Sequence, residues 1–442
     1  MDFLVRFTQS HETFRLPELR ALAELEGIDL TIKDYSAECP FCLVTLPDEP
    51  SAVRLVKRAV LVQAIYEHWA TAPTLDALRD GVRASQKHTH PSYRTSSFKF
   101  TFDSFQGTRP HSSRLSIINS FSFLGFQGPI ALKNPDHEFA ILEDWAAGST
   151  LSGIEEPHTL HFGRLVGAGA RDLATTYTLK TRRYISTTSM DSELALITAN
   201  LAHASAGKLF YDPFVGTGSF PVAAAHFGAL AFGSDIDGRS IRGAGKGGGV
   251  AANFAQYGLG HLLGGMFVAD LTNTPLRAGR RLWDGIVCDP PYGVREGLKV
   301  LGRRDPERRP SSLEAGRERS LLPDYIPPKK PYSFLAMLDD ILAFATASLV
   351  DGGRLAFWMP TSNEEAEEIR PPTHPCLQIV AVCRQDFNKW SRKLIAYRRI
   401  PDAEVDEEAA RAWMARTVPT GEGTTANELN PFRRMYFTKV ET

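Results

Sequence analysis

Along residues 1–48 the apolar positions change period twice, so DFLVRF reads as a strand, LPELRALAELEG as a helix, and the segment ending CLVTLP as a second extended stretch. The apolar spacing of VRLVKRAVLVQAIYEHWA and TLDALRD then predicts helices, and SSFKFTFDSF at 96–105 returns to period two. RLSIINSFSFL, PIALKNP and HEFAILEDW follow as short strands separated by Gly and Pro turns. This mixed pattern, free of repeats and low-complexity tracts, ends near residue 160 and predicts an α+β first domain over 1–160.

Residues 161–185, with their glycine-rich middle, read as a connector. TSMDSELALITANLAHA predicts a helix capped by Thr188 or Ser189, with Asp191 near its positive end. Apolar strands then alternate with helices: KLFYDPF, ALAFGSDI, MFVAD and WDGIVCDP are strands, YSFLAMLDDILAFATASL is a helix, and GRLAFWMP is a strand. That alternation predicts an α/β domain over 186–400 with a parallel sheet covered on both faces. LQIVAVCR and KLIAYRR are close enough in sequence to pair antiparallel at one side of it. The tail, 401–442, is acidic first, and its final aromatics in NPFRRMYF are expected to dock.

Composition narrows the picture only slightly. Lys plus Arg number 50 against 51 Asp plus Glu, so any nucleic-acid partner must be met by a local basic surface or with help from another subunit. No uncharged apolar run is long enough to cross a bilayer, and the amino terminus lacks the pattern of a secretory signal, so no membrane association and a cytoplasmic location are expected. Cys39 and Cys42 form a CPFC knuckle without a second CxxC pair or histidines at finger-like spacing; no metal site is therefore expected in this chain.

The chemistry concentrates at predicted strand ends. In Asp212-Pro213-Phe214-Val215-Gly216-Thr217-Gly218, the two glycines let a strand-to-helix turn pass under a bulky ligand. The dinucleotide fingerprint needs another glycine where Pro221 stands, and the GK[ST] ending of a phosphate loop is absent, so nicotinamide cofactors and nucleoside triphosphates are disfavoured. Asp235 closes the next strand at the separation suited to a ribose diol, Asp270 closes the one after and suits an adenine amino group, and Asp212 is placed to neutralise a cofactor ammonium. The competing reading is that these strand-end acids only cap their own turns.

Asp289-Pro290-Pro291-Tyr292-Gly293 is the strongest local signal. Two prolines force an extended exit from the strand and remove two backbone donors, leaving the Asp289 carboxylate and Pro290 carbonyl as acceptors for the two hydrogens of an aromatic amino group. Tyr292 is suited to stack on an everted base. Together these segments point to a nucleic-acid base amino-methyltransferase using S-adenosylmethionine.

YDPFVGTGSF, GSDID, FVAD and CDPPYG are similar to the successive motifs of class I amino-methyltransferases, and with RRYISTTSMDSELALITANLA they resemble the catalytic subunit of the tRNA guanine-10 N2-methyltransferase family. The resemblance extends over most of 1–400. It implies a class I Rossmann-like methyltransferase domain behind an α+β RNA-binding region containing a THUMP module. It also implies Gly216 and Gly218 along the cofactor, Asp235 at its ribose, Asp270 by adenine, Thr188 in a further cofactor-side element, and Asp289, Pro290 and Tyr292 around guanine. A small zinc-binding methyltransferase activator subunit, forming a heterodimer with the catalytic chain, is implied as well.

For tRNA contact, Arg83, Lys87, His88, His90, Arg94 and Lys99 interleave with Tyr93, Phe98 and Phe100, either as a phosphate and base patch or as a solvated face with its aromatics turned inward. Arg392, in Trp390-Ser391-Arg392-Lys393, lies on a predicted hairpin that can approach the base pocket. Between Arg295 and Lys330 there are ten Lys or Arg and six Asp or Glu, a basic insertion that reads either as a loop closing over a phosphate backbone or ordering on RNA, or as a disordered surface insertion. The glycines of 243–249 read as slack in a connection. Two alternatives stay open: a DNA adenine N6-methyltransferase, since the same acceptors suit adenine, and a non-catalytic RNA-binding adaptor that keeps the fold without a methyl-donor pocket.

Overall fold

The computed structural model describes residues 1–442 except 150–155, 244–247, 278, 295–296, 303–327, 365–367, 417–424 and 439–442. The chain divides into two compact units, Met1–Asp172 and Leu173–Thr442. No described helix is long and apolar enough to cross a membrane.

The first unit is built on a seven-stranded sheet of order β2-β3-β1-β4-β7-β6-β5. Its strands are β1 (Asp2–Phe7), β2 (Thr31–Tyr35), β3 (Phe41–Thr45), β4 (Val62–Ala72), β5 (Phe98–Phe105), β6 (His137–Asp144) and β7 (Thr159–Ala168). All neighbours pair antiparallel except β5 with β6. Four expectations are corrected. The long helix expected across 53–70 is a short helix, Glu49–Val56, followed by β4, which lies between β1 and β7 and is buried along most of its length. A strand covered on both faces loses its alternation and mimics a helical apolar run. RLSIINSFSFL is no strand: His111–Asn119 is a helix, and Phe121 and Leu124 enter the core. PIALKNP contributes one bridge, Phe98 to Ile130. The segment 161–185, read as a connector, supplies most of β7, whose Leu160 and Phe162 are fully buried. In the CPFC knuckle the Cys39 thiol donates to Asp144 Oδ2 at 2.9 Å and Cys42 is buried.

The second unit carries a sheet of order β10-β9-β8-β11-β14-β16-β15. It comprises β8 (Leu209–Asp212), β9 (Leu230–Asp235), β10 (Leu263–Val268), β11 (Trp283–Cys288), β14 (Leu349–Ser362), β15 (Leu377–Asp386) and β16 (Trp390–Arg399). The first five are mutually parallel, and β16 and β15 close the side antiparallel. One face is covered by the helix Phe334–Ser348, whose Phe334, Met337, Ile341 and Leu342 are all at most 1% exposed. Each such side chain contributes about 1.5–3 kcal/mol by leaving water. The helix Ser192–Leu201 is buried at every position except Glu193, and its Thr198 hydroxyl accepts from the β14 indole Trp358 at 3.1 Å. Its cap is Asp191, which accepts the Glu193 N–H at 2.9 Å, and neither Thr188 nor Ser189.

Within the basic insertion, β12 (Lys299–Leu301) and β13 (Lys329–Pro331) pair antiparallel. Its residues 295–296 and 303–327, like 244–247 of the glycine-rich connection, lie outside the described residues. The tail returns as two helices, Glu407–Ala415 and Pro431–Thr438.

Candidate active site

Parallel strands share one carboxyl edge, so the sheet order sets side by side acids that are far apart in sequence. Asp270 follows β10, Asp235 ends β9, Asp212 ends β8 and Asp289 follows β11. Along this edge opens a cavity of about 1090 Å³ lined by Thr188, Gly216, Asp235, Asp270, Asp289, Pro290, Tyr292 and Arg392, together with Tyr184 and Phe432.

At the cofactor end, Gly216 and Gly218 take φ of 49° and 82°, the left-handed region that glycine enters without strain. A Cβ on Gly218 would stand 2.7 Å from Val250 Cγ1, whereas one on Gly216 would meet nothing closer than 3.9 Å. The Asp235 carboxylate accepts from Gly216 N–H at 3.0 Å and Asp237 N–H at 2.8 Å, and burial raises its pKa. It thus braces the glycine turn while its half-buried edge still faces the cavity. Asp270 is more committed: its oxygens accept from Thr272 N–H at 2.9 Å, Thr272 hydroxyl at 3.1 Å and Leu301 N–H at 2.5 Å. These bonds cap its own turn and tie β12 to the sheet.

Asp212 does not line the cavity. It is 1% exposed; Oδ1 accepts from Phe214 N–H at 2.9 Å, Oδ2 has no partner among the described residues, and burial raises its pKa well above the usual carboxylate range. Direct neutralisation of a cofactor ammonium is therefore not the arrangement seen. Thr188 is exposed at the rim, its hydroxyl 3.2 Å from that of Ser186.

At the other end the Asp289 carboxylate lines the cavity with Oδ1 buried and without a hydrogen-bond partner among the described residues; the same holds for the Tyr292 hydroxyl. Burial pushes the Asp289 carboxyl up to about 6, with Tyr292 and the Arg392 charge pulling it back. Because the ionised form is the competent acceptor, kcat/KM is expected to rise with pH through an apparent pKa near 6 and then level. Asp289→Asn should flatten that limb; a wild-type profile flat from about pH 5 to 8 would contradict the assignment.

Arg392 joins this end as expected from the hairpin: its guanidinium lies 4.5 Å from the Trp358 ring centroid, and its Nε donates to Gln385 Oε1 at 2.7 Å. The other basic candidates belong to the first unit. Lys87 pairs with Glu67 at 3.3 Å, Lys99 with Glu138 at 2.8 Å and Arg83 with Asp80 at 2.9 Å, while the exposed Arg94 meets Gln127 at 3.4 Å. Tyr93 is buried, and Phe98 and Phe100 pack against the same core, so the aromatics of this segment face inward. Their spacing on a two-period strand could not distinguish that from an exposed stacking patch.

Sequence reasoning missed two supports of the site, and a third, Phe432, comes from the tail aromatics expected to dock, with no position in the site assigned to it. Asn253, fully buried, donates to the carbonyls of Tyr184 and Thr217 at 2.8 and 3.0 Å and accepts from Tyr184 N–H, which splices the segment before the first helix onto the glycine turn. Arg182 donates to Ser219 Oγ at 2.8 Å across the same junction. Phe432, 1% exposed, stands beside Tyr292 and Trp390. The dipeptide Asn430-Pro431, a capping residue followed by proline at the first helical position, was the available signal for the last of these.

Comparison with known proteins agrees with this geometry. Residues 1–171 match the Tmrp11 THUMP N-terminal domain, and residues 180–302 match the RMKL-like methyltransferase domain. The chain is 41% identical over 401 residues to the tRNA (guanine(10)-N(2))-methyltransferase of Saccharomyces cerevisiae, covering 89% of this chain and 92% of that one. It is 36% identical to the protein of that name in Schizosaccharomyces pombe, at 91% and 90% coverage, and 32% identical to the Homo sapiens protein, at 99% and 95%. A THUMP-bearing first unit, a class I methyltransferase second unit and full-length likeness to these enzymes converge: the chain belongs to the tRNA (guanine(10)-N(2))-methyltransferase family.

Proposed function

We infer that this protein is an enzyme that methylates the exocyclic N2 amino group of guanine 10 in tRNA with S-adenosylmethionine as donor. The observation that carries the reading is the cavity-lining Asp289, whose Oδ1 has no hydrogen-bond partner among the described residues, beside Pro290 and Tyr292 and along the same edge as the glycine turn. The cavity's size, the open space beside Gly216, which lines it, and Asp235 at its rim fit the donor; Gly218 instead faces Val250 and lets the turn pack closely on the helix below. Bound there, S-adenosylmethionine supplies an electrophilic methyl group on a sulfonium sulfur.

The chain's own residues do the rest. Asp289 accepts one hydrogen of the amino group and turns the nitrogen lone pair out of conjugation with the ring. Tyr292 offers a face for stacking on the everted base, with Trp390 and Phe432 beside it. Most of the acceleration comes from alignment and from fixed acceptors. With the donor held beside Gly216 and Asp235, the alignment would present the amino nitrogen to the donor's methyl group, and the Asp289 carboxylate would take up the proton that the nitrogen releases. N2-methylguanosine and S-adenosylhomocysteine result.

A heterodimer with a small zinc-binding activator subunit is the finer part of this proposal. It is supported by β10, an outer strand of the sheet with no second neighbour among the described residues, where Val268 is 50% exposed. An unpaired strand edge beside apolar surface is suited to pairing with a second chain. The test is transfer of labelled methyl to matched tRNA and duplex DNA, with and without added activator. Incorporation at guanine 10 of tRNA, raised by the activator and absent from DNA, is expected; labelling of adenine in DNA alone would replace this reading.

A further inference from the structure

We infer that Asn430 and Arg433 are positioning residues for methyl transfer: the C-terminal helix Pro431–Thr438 latches the acceptor loop, and Phe432 forms a wall of the base pocket. The inference rests on the proposed function and concerns residues outside 180–302, the stretch that matches the methyltransferase domain.

Pro290 and Pro291 have no N–H, so the chain leaving β11 cannot tie itself into a ladder or a tight turn by its own donors. Its following carbonyls are held from the tail instead. Asn430, 2% exposed, donates its Nδ2 to the Tyr292 carbonyl at 2.8 Å, and Arg433 Nη1 donates to the carbonyls of Gly293, at 2.8 Å, and Val294. Three consecutive acceptors are thus gripped by two side chains, one of them charged, and charge-assisted bonds of this kind are the stronger class.

The latch is itself braced. Asn430 Oδ1 accepts the Arg433 N–H at 3.0 Å, Arg433 Nε donates to Asn427 Oδ1 at 2.9 Å, and the Leu429 carbonyl accepts the Phe334 N–H at 2.9 Å. The fit is close, since a Cβ on Gly293, where φ is 71°, would fall 2.7 Å from Asn430 Nδ2. Phe432 packs edge-on to Tyr292, with centroids 6.4 Å apart, and at 5.6 Å from Trp390. Tyr292, Trp390 and Phe432 all line the cavity, so the tail both orients the stacking tyrosine and encloses the space beside it.

The experiment compares wild type, Asn430→Asp, Arg433→Ala and Arg433→Lys as full-length protein. Asn430→Asp keeps the oxygen that caps the helix and replaces the donor to Tyr292 with a second acceptor, which turns that contact from attraction to repulsion. Readouts are kcat and KM on a tRNA transcript, S-adenosylhomocysteine affinity by calorimetry, and amide exchange of the peptide spanning 289–294. Expected for Asn430→Asp and Arg433→Ala are faster exchange in that peptide and a kcat lower by about tenfold or more, from loss of near-attack alignment. KM and S-adenosylhomocysteine affinity should stay within about twofold. Arg433→Lys should recover part of the kcat. Unchanged exchange, or loosened exchange with wild-type kcat, would overturn the latch. A wild-type enzyme inactive on tRNA would instead remove the functional reading, and the exchange data would still decide whether the tail holds the loop.

Discussion

Asp289→Ala should leave almost no methyl transfer while S-adenosylmethionine still binds. The substitution removes the buried acceptor that aligns the amino group and keeps the Gly216–Gly218 turn and Asp235, which bear on the donor instead. Loss of one preorganised electrostatic partner in a dry site costs on the order of 10²–10³ in kcat. The fall should appear in kcat and kcat/KM together, because the interaction is made as the nitrogen becomes nucleophilic. Single-turnover labelling of tRNA with donor saturation confirmed by calorimetry measures this. Turnover within about threefold of wild type would reject Asp289 as the acceptor.

Gly218→Val should fail at the other end of the cavity, by losing the donor. At φ 82° a β-branched residue is strained, and the added Cβ meets Val250 Cγ1 at 2.7 Å, so either the turn or the helix beneath it must move. The backbone strain is about 1–3 kcal/mol and the overpacking about as much again, which together correspond to roughly 100-fold weaker binding of S-adenosylhomocysteine. Gly216→Ala is the control: its φ of 49° carries strain but its Cβ has open space, so the loss should be smaller. Val250→Ala in the Gly218→Val background should recover only the steric part. Equal affinities for Gly218→Val and Gly216→Ala, measured by calorimetry, would show that the close approach to Val250 does not matter.

These two substitutions separate donor from acceptor, and the distinction was already visible in the chain. The glycine turn, the serial aspartates and DPPYG each follow an apolar strand, and a parallel sheet has one place for strand-end residues to meet. The alternation of strands and helices across 207–360 survives almost unchanged because each element is long or bounded by its own turn. The first unit was less legible. β4 reads as helix in the sequence since a strand buried on both faces has no polar alternation, and His111–Asn119 reads as strand because its helix shows only one buried residue, Ile117.

Charge was also harder to place than chemistry type. Lys87 and Lys99 were basic residues available to a phosphate in one dimension; folding pairs them with Glu67 and Glu138, which are distant in sequence. Asp212 was grouped with the acids that face the ligand, yet burial puts it beneath the cavity surface.

The residues by themselves determined the kind of chemistry: which side chains can accept from an amino group, which turn admits a bulky donor, and which strands carry them. Those are local properties, set by backbone freedom and apolar periodicity. Only the tertiary structure decided which acid stays unpartnered, which cations are neutralised, and that a helix 140 residues downstream of the DPPYG loop grips its carbonyls through Arg433. Partnering depends on contacts between elements remote in sequence, and no local pattern encodes which of two equally polar groups will be left facing the cavity.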